Sequence, residues 1–310
     1  MSGTGVKAHG ARSAALGGAL LAVIYTGLIA SADGITKLLA GQYAAAQLYA
    51  LSGMMVAALC LIADRHRSQR AGLRTTCPRA MALRAVAGLL AAVCFFYAFR
   101  LLPFAEVFVF IGLMPLLAGA MSGLVLKEPV RPAAWAALAL GFCGVLVLLP
   151  QGLSGLAGGH LVALAAAVFG TFSMTMARFI GRFETNALAQ VFYPNLLLGA
   201  VMLVALPFVW LPMPAADAAW AAAYAVLLFG ARWVLVVALR LLASYAVTPL
   251  MNLQFIWMAL IGAAAFGEVP PLSTVLGSAI VMASGLYLVW DQFAPRTPRV
   301  PFINNPQTDP

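Results

Sequence analysis

Three charged residues interrupt long apolar stretches of this 310-residue chain, and all three are of types that bind charged ligands. Asp33 and Lys37 are four residues apart, the spacing at which opposite charges meet on one face of a helix. Arg232 lies within Phe229-Gly230-Ala231-Arg232-Trp233, and its guanidinium is suited to bidentate contact with a carboxylate or phosphate. We interpret the three as a site for a zwitterion, with Asp33 taking a proton or an amino group and Lys37 a carboxylate. The structural alternatives are an Asp33–Lys37 ion pair and pairing of Arg232 with Glu106 or Asp33.

Polar and aromatic residues in the same stretches supply further candidates. Gln254 and Trp257 lie about one helical turn apart, so they share a face of a helix. The predicted substrate-binding residues are Asp33, Lys37, Tyr49, Tyr97, Tyr193, Arg232, Trp233, Gln254 and Trp257. Asp33 and Glu106 are the candidates for proton coupling, although Glu106 also suits a helix boundary, and Glu128 and Glu268 beside prolines suit a structural role.

Catalytic chemistry is not indicated. The three histidines lie in loops or near the ends of apolar runs, and the four cysteines show no metal-ligand spacing. No phosphate-binding Walker loop is found. We therefore predict a protein that is not an enzyme, with no catalytic residue, metal or cofactor, and with energy supplied by an ion or substrate gradient.

The composition predicts an all-α integral membrane protein. The chain is 64% hydrophobic and 9% charged, with a mean hydropathy of +0.98, which leaves too little polar surface for a soluble globule. Apolar runs without strand-like alternation favour helices. About ten runs approach the roughly 20-residue length of a transmembrane helix, at positions 16–39, 44–63, 82–102, 104–126, 132–150, 159–177, 187–211, 218–240, 245–266 and 271–290.

The basic residues predict the orientation. If both termini are cytoplasmic, all of the 18 Lys and Arg residues except Lys37, Arg100 and Arg232 fall on the cytoplasmic side. The net charge of +9 then needs no nucleic-acid partner, because the basic loop from Arg65 to Arg84 carries no aromatic residue to stack on bases. Membrane lipid headgroups are the expected partners of those arginines.

One pattern occurs twice along the chain. Ala98-Phe99-Arg100-Leu101-Leu102-Pro103 returns as Ala238-Leu239-Arg240-Leu241-Leu242-Ala243, and the same offset carries Glu128 onto Glu268. Ten spans in two homologous units give five spans per unit, so the two units must point in opposite directions across the membrane. We predict a cytoplasmic segment at 1–15, repeats at 16–150 and 158–291, and a cytoplasmic tail at 294–310.

A recognisable set of residues recurs in both halves. In the first half it is the run from Arg84 through Tyr97 to Pro103, then Pro115, Lys127-Glu128, Trp135, Gly141 and Gly144, and in the second half Ala238-Leu239-Arg240, Gln254, Trp257, Phe266-Gly267-Glu268, Gly277 and Ser284 through Tyr287. This pattern resembles the repeat of the drug/metabolite transporter superfamily, EamA type. The resemblance implies a ten-helix secondary transporter with a central cavity lined by both halves. Many members place an Arg early in the second span, whereas Ala46 to Gly53 contains none.

These observations lead to a functional expectation. We predict a multi-pass transporter of the cell (inner) membrane that moves a small polar or amphipathic metabolite by alternating access, with an amino acid or derivative as the first candidate and export favoured by family analogy alone. A proton is the candidate coupling ion, and no oligomeric state is predicted. The alternative is a membrane accessory protein that binds lipid or a partner and transports nothing; an integral-membrane enzyme ranks third.

Overall fold

The computed structural model describes residues 3–65, 72–126, 132–147, 157–184, 186–241 and 253–293. Within these ranges the chain forms ten α-helices and no strand. They are α1 (Gly3–Ala40), α2 (Ala45–Arg65), α3 (Pro78–Leu101), α4 (Phe104–Leu126), α5 (Pro132–Val147), α6 (Gly158–Ile180), α7 (Ala187–Val209), α8 (Ala215–Leu241), α9 (Gln254–Phe266) and α10 (Leu272–Phe293). The predicted all-helical fold is confirmed.

Most of these helices have the length and composition of membrane spans. Six carry a sufficiently long apolar window, namely Val23–Ala40, Ala45–Arg65, Pro78–Leu101, Phe104–Met121, Gly158–Ile180 and Leu188–Val209. Shorter apolar stretches lie in the other four, at Trp135–Val147, Ala215–Ala231, Gln254–Phe266 and Leu272–Tyr287. The chain is a multi-pass membrane protein. Of the span predicted at 245–266, the structure describes the part from 253 onward.

Local sequence explains where several helices begin and end. Pro78 occupies the first turn of α3, where a missing N–H costs no hydrogen bond. Gly267 ends α9 at φ 66°, a left-handed conformation that glycine adopts without strain. The next residue, Glu268, donates its backbone N–H to the carbonyl of Gly262. The prolines at 270 and 271 then separate α9 from α10.

The helix packing shows two halves related by inversion. The most extensive contacts are α3 with α6, α2 with α7, α1 with α8 and α5 with α10. Exchanging each helix with its counterpart five places along turns the α3–α6 contact into α8–α1 and leaves α2–α7 and α5–α10 unchanged. The same exchange relates α4–α6 to α9–α1 and α3–α7 to α8–α2. This pseudo-twofold pattern is what two inverted five-helix repeats produce.

Glycines bring together the two helix pairs that the exchange leaves unchanged, α2–α7 and α5–α10. A Cβ placed on Gly53 of α2 would lie 2.8 Å from the backbone nitrogen of Gly199 in α7. A Cβ on Gly144 of α5 would lie 2.8 Å from the carbonyl oxygen of Gly277 in α10. Small residues let helix backbones approach each other inside a membrane, where dispersion contacts drive association. The two halves are therefore joined at backbone contact distance.

Hydrogen bonds fasten both ends of the bundle. At the end that includes Glu268, the hydroxyl of Tyr43 donates to Asp217, and the Gln47 amide exchanges two bonds with the backbone of Leu211. The hydrogen bond to Asp217 raises the pKa of Tyr43. At the opposite end, the Glu184 carboxylate accepts bonds from Thr75 and Thr76. We call these the Glu268 end and the Glu184 end.

Candidate functional site

Three of the predicted site residues meet where α1 packs against α9. The Gln254 amide nitrogen donates to Asp33 Oδ2 at 3.0 Å. One turn further along α9, the indole of Trp257 lies 3.6 Å from the position that a Cβ on Gly27 would occupy. Asp33 and Gly27 belong to the first half, and Gln254 and Trp257 belong to the second. Asp33, Gln254 and Trp257 were all predicted from the sequence, and they come from both repeats. We call this group the Asp33–Gln254 cluster.

A close approach of the two helices positions this cluster. Gly34 brings α1 close to α9, since a Cβ there would lie 3.1 Å from the side chain of Ile261. Asp33, the residue before Gly34, is held by the amide of Gln254.

Aromatic rings surround the neighbouring core. Phe255, next to Gln254, lies 5.1 Å from the ring of Phe108, and Phe95 stacks on Phe99 at 6.2 Å. Phe99 in turn lies 5.4 Å from Phe104, and all of these rings belong to or pack on one buried cluster that spans both halves. Hydrogen bonds and charges are stronger in such surroundings than in water. A polar ligand at Asp33 would meet a carboxylate, an amide and flat apolar surfaces.

Lys37 does not pair with Asp33. Its ammonium lies 2.9 Å from Glu268 Oε1 and donates to the carbonyl of Leu102 at 2.9 Å and of Phe99 at 3.4 Å. Free carbonyls at the end of α3 attract a cation, so Lys37 is drawn to the helix end and away from Asp33. Glu268 Oε2 accepts the backbone N–H of Phe104 at 2.7 Å. The Asp33–Lys37 ion pair, the structural alternative for these two residues, is thus not formed within α1, and Lys37 pairs with Glu268 of the other half.

Glu106 lies beside a histidine in the described structure. Its Oε2 is 3.7 Å from His160 Nε2, and His160 Nδ1 accepts the backbone N–H of Ala157 at 3.1 Å. Because Nδ1 accepts a bond, the ring proton of a neutral His160 lies on Nε2 and faces the carboxylate. Glu106 and Asp33 therefore belong to separate polar groups.

The other predicted residues are spread over the molecule. Tyr49 is buried, donates to the carbonyl of Ala92 and contacts the rings of Phe96 and Tyr224. Tyr97 is 39% exposed on the outside of α3. Tyr193 donates to the carbonyl of Leu73 at the Glu184 end. Arg232 and Trp233 lie in α8, and their side chains are outside the described part of the structure.

Sequence reasoning assigned no binding role to three residues that the structure brings together. Glu268, His160 and Thr274 lie at the Glu268 end, near Lys37 and Glu106. The signal for Glu268 was present, because it repeats Glu128 at the same offset. A glutamate beside proline at a helix end suits a structural role, and its partner Lys37 lies in the other half of the chain, where local spacing does not show it. Residues 127–131, which include Glu128, lie outside the described ranges.

Metal-binding groups were sought in the described residues. No group of three His, Cys, Asp or Glu side chains has an arrangement that holds a metal ion there. Cys60, Cys77, Cys94 and Cys143 form no disulfide.

Comparison with known families agrees with the helical architecture. Residues 13–149, which span α1 to α5, match the EamA-like transporter family. The match covers the part of the chain that holds the first five helices, and there it confirms the family resemblance inferred from the repeated motifs.

One relative of this chain is named for its substrate. A riboflavin transporter from Vibrio cholerae serotype O1 is 28% identical over 185 residues. The aligned region covers 57% of this chain and 60% of the relative. The match therefore spans about three fifths of that protein's length.

A solved crystal structure shares the fold of this chain. It superposes with a TM-score of 0.61 at 20% sequence identity and covers 91% of this chain and 99% of the other. At this identity the likeness concerns the fold, which is thus common to almost the entire length of both chains.

Proposed function

We propose that this protein is a secondary transporter that moves a small amphipathic metabolite across the membrane by alternating access. The observation that carries the proposal is the Asp33–Gln254 cluster, since it joins a carboxylate on α1 to an amide on α9, one from each inverted repeat. A site shared by two inverted halves can be exposed to either side as the halves rock against each other. The match of residues 13–149 to a transporter family supports the same activity.

For the substrate, we favour a planar ring compound with a hydrogen-bonding edge over the amino acid first predicted. Lys37 is held by Glu268 and by backbone carbonyls, which leaves it poorly placed to receive a substrate carboxylate. Asp33 and Gln254 offer a carboxylate and an amide where α1 meets α9, and the indole of Trp257, one turn further along α9, packs on α1 at Gly27. A flavin fits this combination, and the similarity to a riboflavin transporter supports it. An amino acid or derivative is the second candidate.

Orientation and boundaries form part of the proposal. We place both termini in the cytoplasm and the protein in the cell (inner) membrane, on the distribution of basic residues. The repeats are proposed at 16–150 and 158–291. Export, which rested on family analogy, has no support from the site, and the transport direction is left to the flux measurement.

The first prediction concerns ring stacking on Trp257. Riboflavin fluorescence should be quenched on binding to the purified protein, because excited riboflavin stacked on an indole returns to the ground state without emitting light. Trp257→Ala should weaken binding about tenfold or more, the worth of roughly 1.5 kcal/mol for one aromatic contact. Trp135→Ala is the matched control, since Trp135 is 54% exposed on α5 and should bind as the wild type does.

Flux separates this proposal from its rivals. Proteoliposomes containing the wild type should equilibrate riboflavin without converting it, and Gln254→Ala should slow the flux, whereas Gln42→Ala in the exposed α1–α2 turn should not. If the protein moves amino acids but not riboflavin, the substrate class is amino acids and not planar ring compounds. Absence of flux for every compound, with intact folding, would favour an accessory protein, and a converted product would indicate an enzyme.

A further inference from the structure

A narrow cleft at the Glu268 end is separate from the Asp33–Gln254 cluster. It lies between the start of α4, the end of α9 and the start of α10, and its empty space of about 240 Å³ includes open solvent. The residues that line it are Pro103, Ala105, Glu106, Ala259, Gly262, Glu268, Val269, Pro270, Pro271 and Thr274. Its inner space admits roughly one water-sized particle. A metabolite is too large for it, whereas a single ion is not.

The cleft contains a hydroxyl without a partner. Thr274 Oγ1 is completely buried and makes no hydrogen bond in the described structure. Ser278 Oγ, one turn further along α10, is equally buried and also has no partner. A buried hydroxyl without a hydrogen bond costs about 1–3 kcal/mol, so such groups in native proteins indicate an unseen water or ion.

The chemistry of the lining favours a cation. Pro103, Pro270 and Pro271 have no N–H, and the polar side chains of the lining are the carboxylates of Glu106 and Glu268 and the hydroxyl of Thr274. Oxygen ligands and few donors suit a hard cation. An anion would meet two carboxylates and too few N–H groups.

The local charges favour a monovalent cation. Lys37 lies 2.9 Å from Glu268 and pairs with it. The titratable groups around Glu106 are His160 from α6, at 3.7 Å, Lys37 from α1 and Glu268 after α9. Because Lys37 is bound to Glu268, Glu106 is the carboxylate that would balance the cation, and one carboxylate balances one positive charge.

We propose that this cleft binds a small monovalent cation, Na⁺ or a proton, with Glu106 supplying the charge and Thr274 Oγ1 a neutral ligand. The cation joins the starts of α4 and α10, one from each half, beside the Lys37–Glu268 ion pair. Its occupancy therefore stabilises the contact between the starts of α4 and α10. Coupling of the cation to substrate movement rests on the proposed transport function, whereas the binding site itself does not.

The experiment measures the thermal stability of the purified full-length protein, without substrate, in NaCl, KCl and choline chloride at equal ionic strength. A ligand that binds only the folded state raises Tm with the logarithm of its concentration. The wild type should gain about 2–4 °C in NaCl over choline chloride. Glu106→Gln and Thr274→Val should lose that gain. Thr274→Val should also be no less stable than the wild type in choline chloride, because it removes an unsatisfied hydroxyl.

A matched variant controls for general effects of substitution. Thr175→Val changes a buried threonine of α6 whose hydroxyl already bonds to the carbonyl of Thr171, so it should lower Tm in every salt and keep the Na⁺ gain. If the protein has the same Tm in NaCl, KCl and choline chloride, Tm is measured as a function of pH. If acidification raises Tm in the wild type but not in Glu106→Gln, the bound cation is the proton.

Two results would overturn the proposal. One is a Tm that responds neither to Na⁺ nor to Glu106-dependent protonation, and the other is a Na⁺ gain that survives both Glu106→Gln and Thr274→Val. Substrate flux is read separately in proteoliposomes. If Na⁺ raises Tm but no substrate flux is measured, the cation site is retained and the transport function is rejected. If the flux does not depend on Na⁺ or pH, the coupling alone is rejected.

Discussion

At the scale of single residues, the cost of placing charge in an apolar chain explains the contacts of Lys37 and Glu268. Burying either charge without a partner would cost free energy. Each side chain instead pairs with the other and with backbone groups at helix ends. Neither side chain is fully buried, so the pair retains some solvent screening. The pair links α1 to the loop after α9 and, through Phe104, to the start of α4.

Removing one partner should therefore cost more than removing both. Lys37→Met leaves the Glu268 carboxylate without its cation and is expected to lower the free energy of unfolding by about 2–4 kcal/mol. In the double variant Lys37→Met with Glu268→Gln, no unpaired charge remains, so part of that loss should return. The measurement is the unfolding midpoint in detergent. Equal or greater destabilisation of the double variant would show that the two charges do not stabilise each other.

At the scale of helices, close packing between the halves depends on residues without side chains. α2 and α7 touch at Gly53 and Gly199, and α5 and α10 touch at Gly144 and Gly277. A methyl group at Gly53 would lie 2.8 Å from the backbone of α7, and backbone cannot move aside as a flexible side chain can. The contact distance, and with it the α2–α7 crossing, is set by these glycines.

Alanine substitutions should separate packing from helix propensity. Gly53→Ala is expected to destabilise the protein by about 1–3 kcal/mol through overpacking. Gly230→Ala in α8 is the control, because nothing lies within 4 Å of a Cβ there and alanine favours a helix by about 1 kcal/mol over glycine. Unfolding midpoints should move in opposite directions. A shift of Gly53→Ala in the same direction as Gly230→Ala would mean that the crossing is looser than described.

At the scale of the whole molecule, the inverted halves place equivalent segments at opposite ends of the bundle. The α1–α2 turn is fastened to the start of α8 through Tyr43 and Asp217 at the Glu268 end. The corresponding α6–α7 turn is fastened to the segment before α3 through Glu184 at the other end. A conformational change that opens one end must release one set of bonds while the other set can persist.

Site-directed labelling in intact cells should show this inversion directly. In a background without reactive cysteines, Gln42→Cys in the α1–α2 turn and Phe183→Cys in the α6–α7 turn should react with an impermeant thiol reagent from opposite sides. Both side chains are exposed, so access is not limiting. With cytoplasmic termini, position 42 should be labelled from outside and position 183 only after permeabilisation. Labelling of both from one side would contradict the inverted topology.

The sequence by itself determined the membrane class, the helical fold and the doubled architecture. The lengths of the apolar runs, the helix-breaking residues and the internal repeat are all visible in the order of residues along the chain. It also named Asp33, Gln254 and Trp257, which the structure joins between α1 and α9. Only the tertiary structure decided that Lys37 contacts Glu268, that Tyr97 lies on the outside and that Tyr193 lies at the Glu184 end. Those outcomes depend on how each helix is rotated and which helix it meets, and contacts between residues more than 200 positions apart have no trace in local spacing.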